Sequence, residues 1–310
     1  MNYEHLLCYL LAERPPQLDE QSVYEKIKKL KNTRSIFHID LPNKLIKEFA
    51  AELADPLENI KNSCLEEQYY PKLWKYEIVS THPKVTHPKL INDLRNISST
   101  SDFSKVFDSF LRDWILEDIS SKIDIGQYRG QAGTGTEHMM IFLVDRILKL
   151  LDSTNGRAAV IASLIDLANA FDRLDPTLAI EKFIQMGVRA SSIPLLCINL
   201  ENRKMRVKYK GELPEEHTMA GSGPQGTLLG LIEYLVQSNT AAACISDDDR
   251  FKYIDDLSIL ELVFLAGVLT EFDCHSTVPS DIAKGQLSLP PQDVPHRPTW
   301  IQSLPGLTQI

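Results

Sequence analysis

The stretch Phe251-Lys252-Tyr253-Ile254-Asp255-Asp256-Leu257-Ser258-Ile259-Leu260 leaves this chain few ways to fold. Apolar residues run into a carboxylate pair and resume at once. That spacing predicts two short strands joined by a tight turn, with the aspartates at the turn positions. Two carboxylates lifted to one hairpin tip repel each other, and a divalent cation removes the repulsion; hard oxygen ligands of this kind suit Mg²⁺. An Asp-Asp pair in a turn is more commonly just a solvated surface turn, so its meaning depends on what else the chain carries.

Upstream, Ala158-Ala159-Val160-Ile161-Ala162-Ser163-Leu164-Ile165 is a continuous apolar run that ends in Asp166. Such a run predicts a buried central strand. A carboxylate at its end must be hydrated, paired or metal-bound, because an isolated buried charge is too costly. Between Asp166 and Asp255 lies Gly221-Ser222-Gly223-Pro224-Gln225-Gly226-Thr227, a tight loop feeding a helix from Leu228 to about Ala243. Asp175-Pro176 starts another helix that Gly187 stops, with proline in the first turn and glycine past the end. A further helix is predicted from Ser191 to about Asn202. Asp247-Asp248-Asp249 reads as a solvated acidic loop.

The chain has 310 residues, 43% hydrophobic and 24% charged, which suits two globular domains or one lobed unit. No run approaches the roughly 20 apolar residues that span a bilayer, and Leu6 to Ala12 follows Glu4 rather than a basic region, so it reads as a helix fragment. The five cysteines are scattered without any Cys-x-x-Cys pair. They indicate neither a zinc site nor a disulfide framework and point to a reducing interior, cytosol or nucleus. A net charge of −9 argues against a polyanionic partner on first reading. Charge is local, however. Arg203-Lys204-Met205-Arg206-Val207-Lys208-Tyr209-Lys210 reads as a basic strand, paired around Gly211 with a second strand near His217 to Ala220. It is either functional or a solvated edge strand guarded by lysines.

In the first third, helices are predicted from Leu18-Asp19-Glu20, with Val23, Ile27 and Leu30 on one face, and from Leu41-Pro42, with Leu45, Ile46, Phe49, Leu53 and Leu57 inward. Trp74 to Val79 reads as a short strand. His82 and His87 lack partners at ligand spacing and read as loop residues. Phe103, Val106, Phe107, Phe110, Leu111, Trp114 and Ile115 define a core helix. Gln127 to Thr136 leads glycine-rich into a helix near Glu137, with Thr136 as its N-cap; without a preceding strand or a Lys-Ser/Thr it is not a phosphate loop.

Taken in order, these pieces resemble the reverse transcriptases of non-LTR (LINE-type) retrotransposons. Asp166-Leu167-Ala168-Asn169-Ala170-Phe171-Asp172 is similar to that family's motif A, Gly223-Pro224-Gln225-Gly226 to motif B and Tyr253-Ile254-Asp255-Asp256 to motif C. Lys84 and Leu94-Arg95-Asn96-Ile97-Ser98 are similar to its Arg-Pro-Ile-Ser fingers motif, with Asn96 where the family has proline. The resemblance covers about residues 20 to 273.

It implies an α+β right-hand polymerase fold: an antiparallel palm sheet backed by helices, preceded by fingers. On this reading residues 1–18 are an N-terminal segment, 19–157 the fingers region, 158–274 the palm, and 275–310 a Pro-rich disordered tail. It also implies an RNA-directed DNA polymerase, an intracellular enzyme that adds deoxynucleotides to a DNA primer on an RNA template, with no membrane partner. Asp166, Asp255 and Asp256 would be the catalytic metal ligands, holding two Mg²⁺ ions (or Mn²⁺) roughly 3.5–4 Å apart. Lys84 and Arg95 would contact the triphosphate, and Phe171 would sit under the sugar and exclude a ribose 2′-hydroxyl. Gln225 and Gly226 would line the nascent base pair, and Tyr253 would support the primer end. Plain core packing is the other reading of Phe171.

After residue 273 the family's primer grip and helical thumb find no counterpart, so the thumb is expected to be absent and synthesis impaired by truncation. A relic palm that binds RNA or protein without chemistry is the alternative. A two-metal nuclease built from the same carboxylates is a third reading, which the Pro-Gln-Gly loop and the basic fingers residues give no reason to prefer.

Overall fold

The computed structural model describes residues 14–31, 41–90, 93–129, 133–154, 158–167, 170–208, 215–219 and 226–264. Gln225 and the segments 1–13 and 265–310 lie outside the described residues. The chain is of the α+β class, helices with largely antiparallel sheets, and divides into two units. Among the described residues no helix is long and apolar enough to cross a membrane.

The first unit takes residues from the N-terminal part to Lys122 and returns over Phe171–Gln237. Asp19 caps α1 (Glu20–Lys28) by accepting from the Ser22 N–H, and Val23 and Ile27 are buried on one face as the spacing predicts. The next helix is interrupted. It forms α2 (Asn43–Glu48) and α3 (Ala50–Glu66) with a break at Phe49, so the buried stripe is Ile46, Ala50, Ala54, Leu57, Cys64 and Leu65, while Leu45 and Phe49 face out at 40% and 51% exposure. α4 (Asp102–Ile119) buries Val106, Phe107, Leu111, Ile115 and Ile119. Phe107 packs with Trp74 and Tyr70 at ring separations of 5.6 and 5.7 Å.

A four-stranded sheet joins β1 (Tyr76–Pro83), β2 (Leu94–Ser99), β4 (Lys204–Lys208) and β5 (His217–Thr218) in the order β2-β1-β4-β5. β1–β2 and β4–β5 are antiparallel and β1–β4 parallel. The predicted strand from Trp74 thus begins at Tyr76, after a 3₁₀ turn over Lys72–Lys75. α6 (Pro176–Gln185) carries Asp175 as N-cap and stops before Gly187, whose φ of +72° suits only a residue without a side chain. α7 (Ile193–Leu200) and α8 (Leu228–Ser238) complete the unit.

Its interior holds an unusual density of charge. Arg203, expected on the basic strand's surface, is 4% exposed and donates to Glu77 at 2.6 Å and to the Asn199 side chain at 2.9 Å. The physical reason for this correction is the wholly buried Glu77 on β1, which needs a cation beside it. Tyr70 donates to Asp108 at 2.5 Å, and burial lifts the Asp108 carboxyl to about 6 against the pull of Tyr70, Arg203, Ser104 and Lys61. Burial likewise lifts Glu233 on α8 to about 7 and lowers Lys61 on α3 to about 7.

The second unit covers Ile123–Ala170 and the described residues from Ser238 to Phe264. Its sheet runs β3 (Ala158–Asp166), β7 (Asp256–Phe264), β6 (Arg250–Tyr253), all antiparallel. α5 (Thr136–Ser153) lies on one face, where Met139 and Leu143 pack against Phe251 and Leu260; Ala242 and Ile245 cover Leu257, Ile259 and Ile165 on the other. The N-cap of α5 is Gly135, not Thr136, which is already helical.

β3 is an edge strand among the described residues, not a central one. Its Ala162, Leu164 and Asp166 are exposed in alternation, Leu164 at 74%. A run of apolar residues records hydrophobicity, and here the sheet adds a neighbour on one side only. The acidic loop is not free either: Asp249 receives a two-pronged pair from Arg146 at 2.8 and 3.3 Å, and Asp247 pairs with Arg250 at 2.5 Å.

Candidate active site

Antiparallel register alone brings the three aspartates to one end of the second unit's sheet. Asp166, the last residue of β3, is the direct cross-strand partner of Asp256, the first of β7. Direct partners project from the same sheet face with Cβ atoms about 5 Å apart. The Leu167 N–H donates to the Asp255 carbonyl at 3.1 Å and ties the hairpin tip to the end of β3. Tyr253 pairs with Asp256, leaving Ile254 and Asp255 as the two turn residues.

The strained position is Ile254 (φ +58°), not either aspartate. Positive φ at the first residue of a two-residue hairpin turn is a glycine position, and a β-branched side chain there is an outlier that a surrounding structure must enforce. Asp256 opens the strand instead of sitting in the turn, which corrects the expectation that both aspartates occupy it. A two-residue turn flanked by paired strands has no room for a third member.

None of Asp166, Asp255 and Asp256 forms an ion pair with a described residue. Asp166 and Asp256 are exposed and Asp255 half-buried. Partial burial, then the neighbouring Asp255 and Asp166 charges, raise the Asp256 carboxyl above its ordinary value. This is the repulsion that the sequence foretells. Three hard carboxylates at one sheet end suit a divalent ion by donor type, but among the described residues no group of three or more His, Cys, Asp or Glu side chains is placed to hold a metal ion.

Behind the carboxylates the hairpin is braced. Lys252 projects from the opposite face, is 3% exposed, and its ammonium is held by Asp124, which also takes Arg250 at 2.9 Å. Burial works against the Asp124 carboxyl, but hydrogen bonds from Arg250, Lys252 and the Gly126 N–H hold it down at about 2. Gly126 is irreplaceable for a spatial reason: a Cβ there would stand 2.7 Å from the Arg250 carbonyl. Tyr253 receives a hydrogen bond from Arg129 at 2.9 Å, and bonds with Thr136 and Arg129 lower its phenol.

The remaining predicted residues belong to the first unit. Lys84 directly follows β1 and is exposed, with its N–H on the Asp93 carbonyl at 2.7 Å. Arg95 on β2 is exposed and stands opposite His82, which is a strand residue and not a loop one. Gly226 has φ +99°, and a Cβ on it would meet Ile97 Cγ2 and the Ser98 carbonyl at 3.3 Å, so the Gly226 backbone lies close against β2. The Phe171 ring is half-buried and stacks on Tyr234 of α8 at 5.2 Å.

Over 220 residues, 70% of its length, the chain is 26% identical to the probable RNA-directed DNA polymerase from transposon X-element of Drosophila melanogaster, of which it covers 24%. Two further Drosophila melanogaster proteins match similarly: the probable RNA-directed DNA polymerase from transposon BS, 25% identical over 228 residues, and the RNA-directed DNA polymerase from mobile element jockey, 23% identical over 230. Over about 70% of its length the chain is similar to these transposon RNA-directed DNA polymerases. It covers about a quarter of the length of each of these relatives. No family model matches it. Two solved structures of apo telomerase from Candida tropicalis, one truncated from its C-terminal domain, align over 60% and 67% of the chain and 44% of their own, with 15% and 12% identity and TM-scores of 0.44 and 0.45.

The residues whose contacts sequence reasoning did not single out are Asp124 and Arg129. Arg129 lies in the glycine-rich stretch Gln127 to Thr136, but Asp124 stands in no recognisable motif. The signal that could have found Asp124 is Lys252: a lysine between Phe251 and Tyr253, on a strand with one face buried, requires a carboxylate from elsewhere.

Proposed function

We propose that the chain is the catalytic portion of an RNA-directed DNA polymerase, with Asp166, Asp255 and Asp256 as its metal-binding carboxylates. The observation that carries this reading is the register pairing Asp166 with Asp256 beside the turn that holds Asp255. Three acids from two distant segments meet at one end of the sheet, and no cation of the described chain neutralises them.

When bound, a pair of divalent ions would make the primer 3′-hydroxyl a nucleophile and neutralise the departing pyrophosphate. The chain's own task is placement. The Leu167–Asp255 bond fixes the height of the tip, and the Asp124 brace keeps β6 from sliding. The strained Ile254 sets the direction of Asp255. Lys84 and Arg95, exposed cations on one hairpin, are suited to triphosphate oxygens. Gln225 and Gly226 would line the base pair, Tyr253 the primer end, and the Phe171 ring, backed by Tyr234, the sugar. An RNA template, a DNA primer and deoxynucleoside triphosphates are the partners this reading requires.

The test is primer extension on an RNA template with deoxynucleotides and Mg²⁺. Product that disappears in Asp255→Asn supports the reading. Template degradation without nucleotide addition would instead favour a two-metal nuclease, and RNA binding with no turnover a relic palm.

A further inference from the structure

The second unit's sheet has two edges, and the chain treats them differently. The outer edge of β6 is covered. The Lys252 N–H donates to the Gly126 carbonyl at 2.7 Å, the Tyr128 N–H donates to the Lys252 carbonyl at 2.9 Å, and Gln127 bridges to Lys252 between them. Among the described residues nothing pairs with the outer edge of β3. A strand left at an edge is ordinarily guarded by a lysine, a proline, a bulge or sheer shortness. β3 has none of these. It runs for nine residues, and its register with β7 is unbroken from Ala158 opposite Phe264 to Asp166 opposite Asp256. Ala158 to Ile165 contains no charge, no proline and no glycine.

The helix above adds apolar surface on the same side. One flank of α5 turns toward β6, where Arg146 holds Asp249 and the Phe142 ring lies 5.9 Å from that of Tyr128, itself stacked on Phe251. At helical spacing the opposite flank carries Met140, Val144 and Leu148, so these point to the β3 side. Each is about half exposed. Val160 packs into the cluster beneath α5, and strand alternation puts Ala162 and the exposed Leu164 on that same face.

We propose that β3 is a dimerisation edge, pairing antiparallel with β3 of a second copy of this chain about a two-fold axis at Ala162. The strand is self-complementary about that point. Ala162 then meets itself, Leu164 meets Val160 of the second copy, and Asp166 meets Ala158, so no like charges are opposed. An axis normal to the sheet sets both α5 helices on one face, with their apolar flanks turned toward each other. Two strand edges and two flanks together remove on the order of 1,000 Å² from water, which is what a specific pair requires. Closure favours a second copy over an unrelated strand. Because β6 is already covered, the pair makes one six-stranded sheet with no bare edge among the described residues, and assembly stops at two. The pairing does not rest on the polymerase reading.

The test is sedimentation equilibrium of the full chain from low to high micromolar concentration, expected to show monomer and dimer in exchange. Ala162→Lys and Ala162→Asp each set like charges against one another at the axis, and each alone is expected to raise the dissociation constant by about tenfold or more. Mixed in equal amounts they oppose lysine to aspartate, and the dimer is expected to return, which misfolded variants could not achieve. Hydrogen–deuterium exchange locates the contact: the outward amides of β3 are expected to be protected in concentrated chain and open in dilute chain. A monomer at every concentration, growth beyond the dimer, or a mixture that fails to pair would each overturn the proposal. So would undiminished dimerisation in both Ala162 variants, which moves the interface elsewhere. Full protection of β3 in the dilute monomer would overturn it as well, since the chain would then cover its own edge.

Discussion

Glu77, Asp108 and Glu233 of the first unit and Asp166, Asp255 and Asp256 of the second are all acids, and the fold treats the two sets oppositely. The first three are at most 4% exposed. Arg203 answers Glu77, Tyr70 answers Asp108, and Glu233, with burial raising it to about 7, answers burial by holding its proton. The second three form no ion pair among the described residues and are close enough for Asp255 and Asp166 to push Asp256 upward. An acid satisfied from within belongs to the architecture, whereas acids crowded at one sheet end without a counter-charge are the ones proposed to bind metal.

Asp255→Asn makes the sharpest break in that contrast. It is expected to cut primer extension by about 10³-fold or more while leaving the thermal midpoint unchanged. A comparable loss of stability, read by circular dichroism, would move Asp255 into the architectural set. The reverse case is Glu77→Ala. It strands Arg203 in the core, at a cost of about 3–5 kcal/mol in urea unfolding, and its effect on extension should follow the folded fraction. Next in size is Phe171→Ala, expected to lower discrimination against ribonucleotides by roughly 10²-fold in single-nucleotide incorporation. Unchanged discrimination assigns the ring to its stack with Tyr234 alone.

The pH dependence of stability sharpens the comparison further. Burial, which raises Glu233 to about 7 and Asp108 to about 6, makes the native state hold protons that the unfolded chain has shed, so stability falls as pH rises from the ordinary carboxylate range to about 7. Lys61, lowered to about 7 by burial, reverses the sign above that point: the unfolded chain then holds the extra proton, and stability recovers toward the ordinary lysine value. Urea midpoints across this range should pass through a minimum near neutrality, and Glu233→Gln should flatten the acid side. Smallest of all, Asp256→Asn relieves a partly exposed repulsion and should stabilise by a few tenths of a kcal/mol.

Much of this was readable in the residues. Asp19 and Asp175 announce their helices through capping chemistry, and the hairpin around Asp255 follows from apolar runs broken by two polar residues. What escaped reading depended on neighbours distant in sequence. Ala158–Ile165 shows its hydrophobicity but not that, among the described residues, it would be an edge strand. Arg203 looks like its neighbours Lys204 and Arg206 until Glu77 claims it. Asp249 reads as solvent-facing because Arg146 lies far upstream on another element. For the site, the three aspartates could be named in advance, but their pairing depends on a register that a one-residue slip would destroy.

The left-handed backbone at Ile254 carries a practical consequence. Glycine at that position would adopt the same turn without steric penalty, and the hairpin would gain on the order of 1 kcal/mol. It would also lose the stiffness that a branched side chain lends to the peptide carrying Asp255. Ile254→Gly therefore defines a trade in which the more durable protein is the slower one, and any engineering of this chain for robustness should leave that single residue alone.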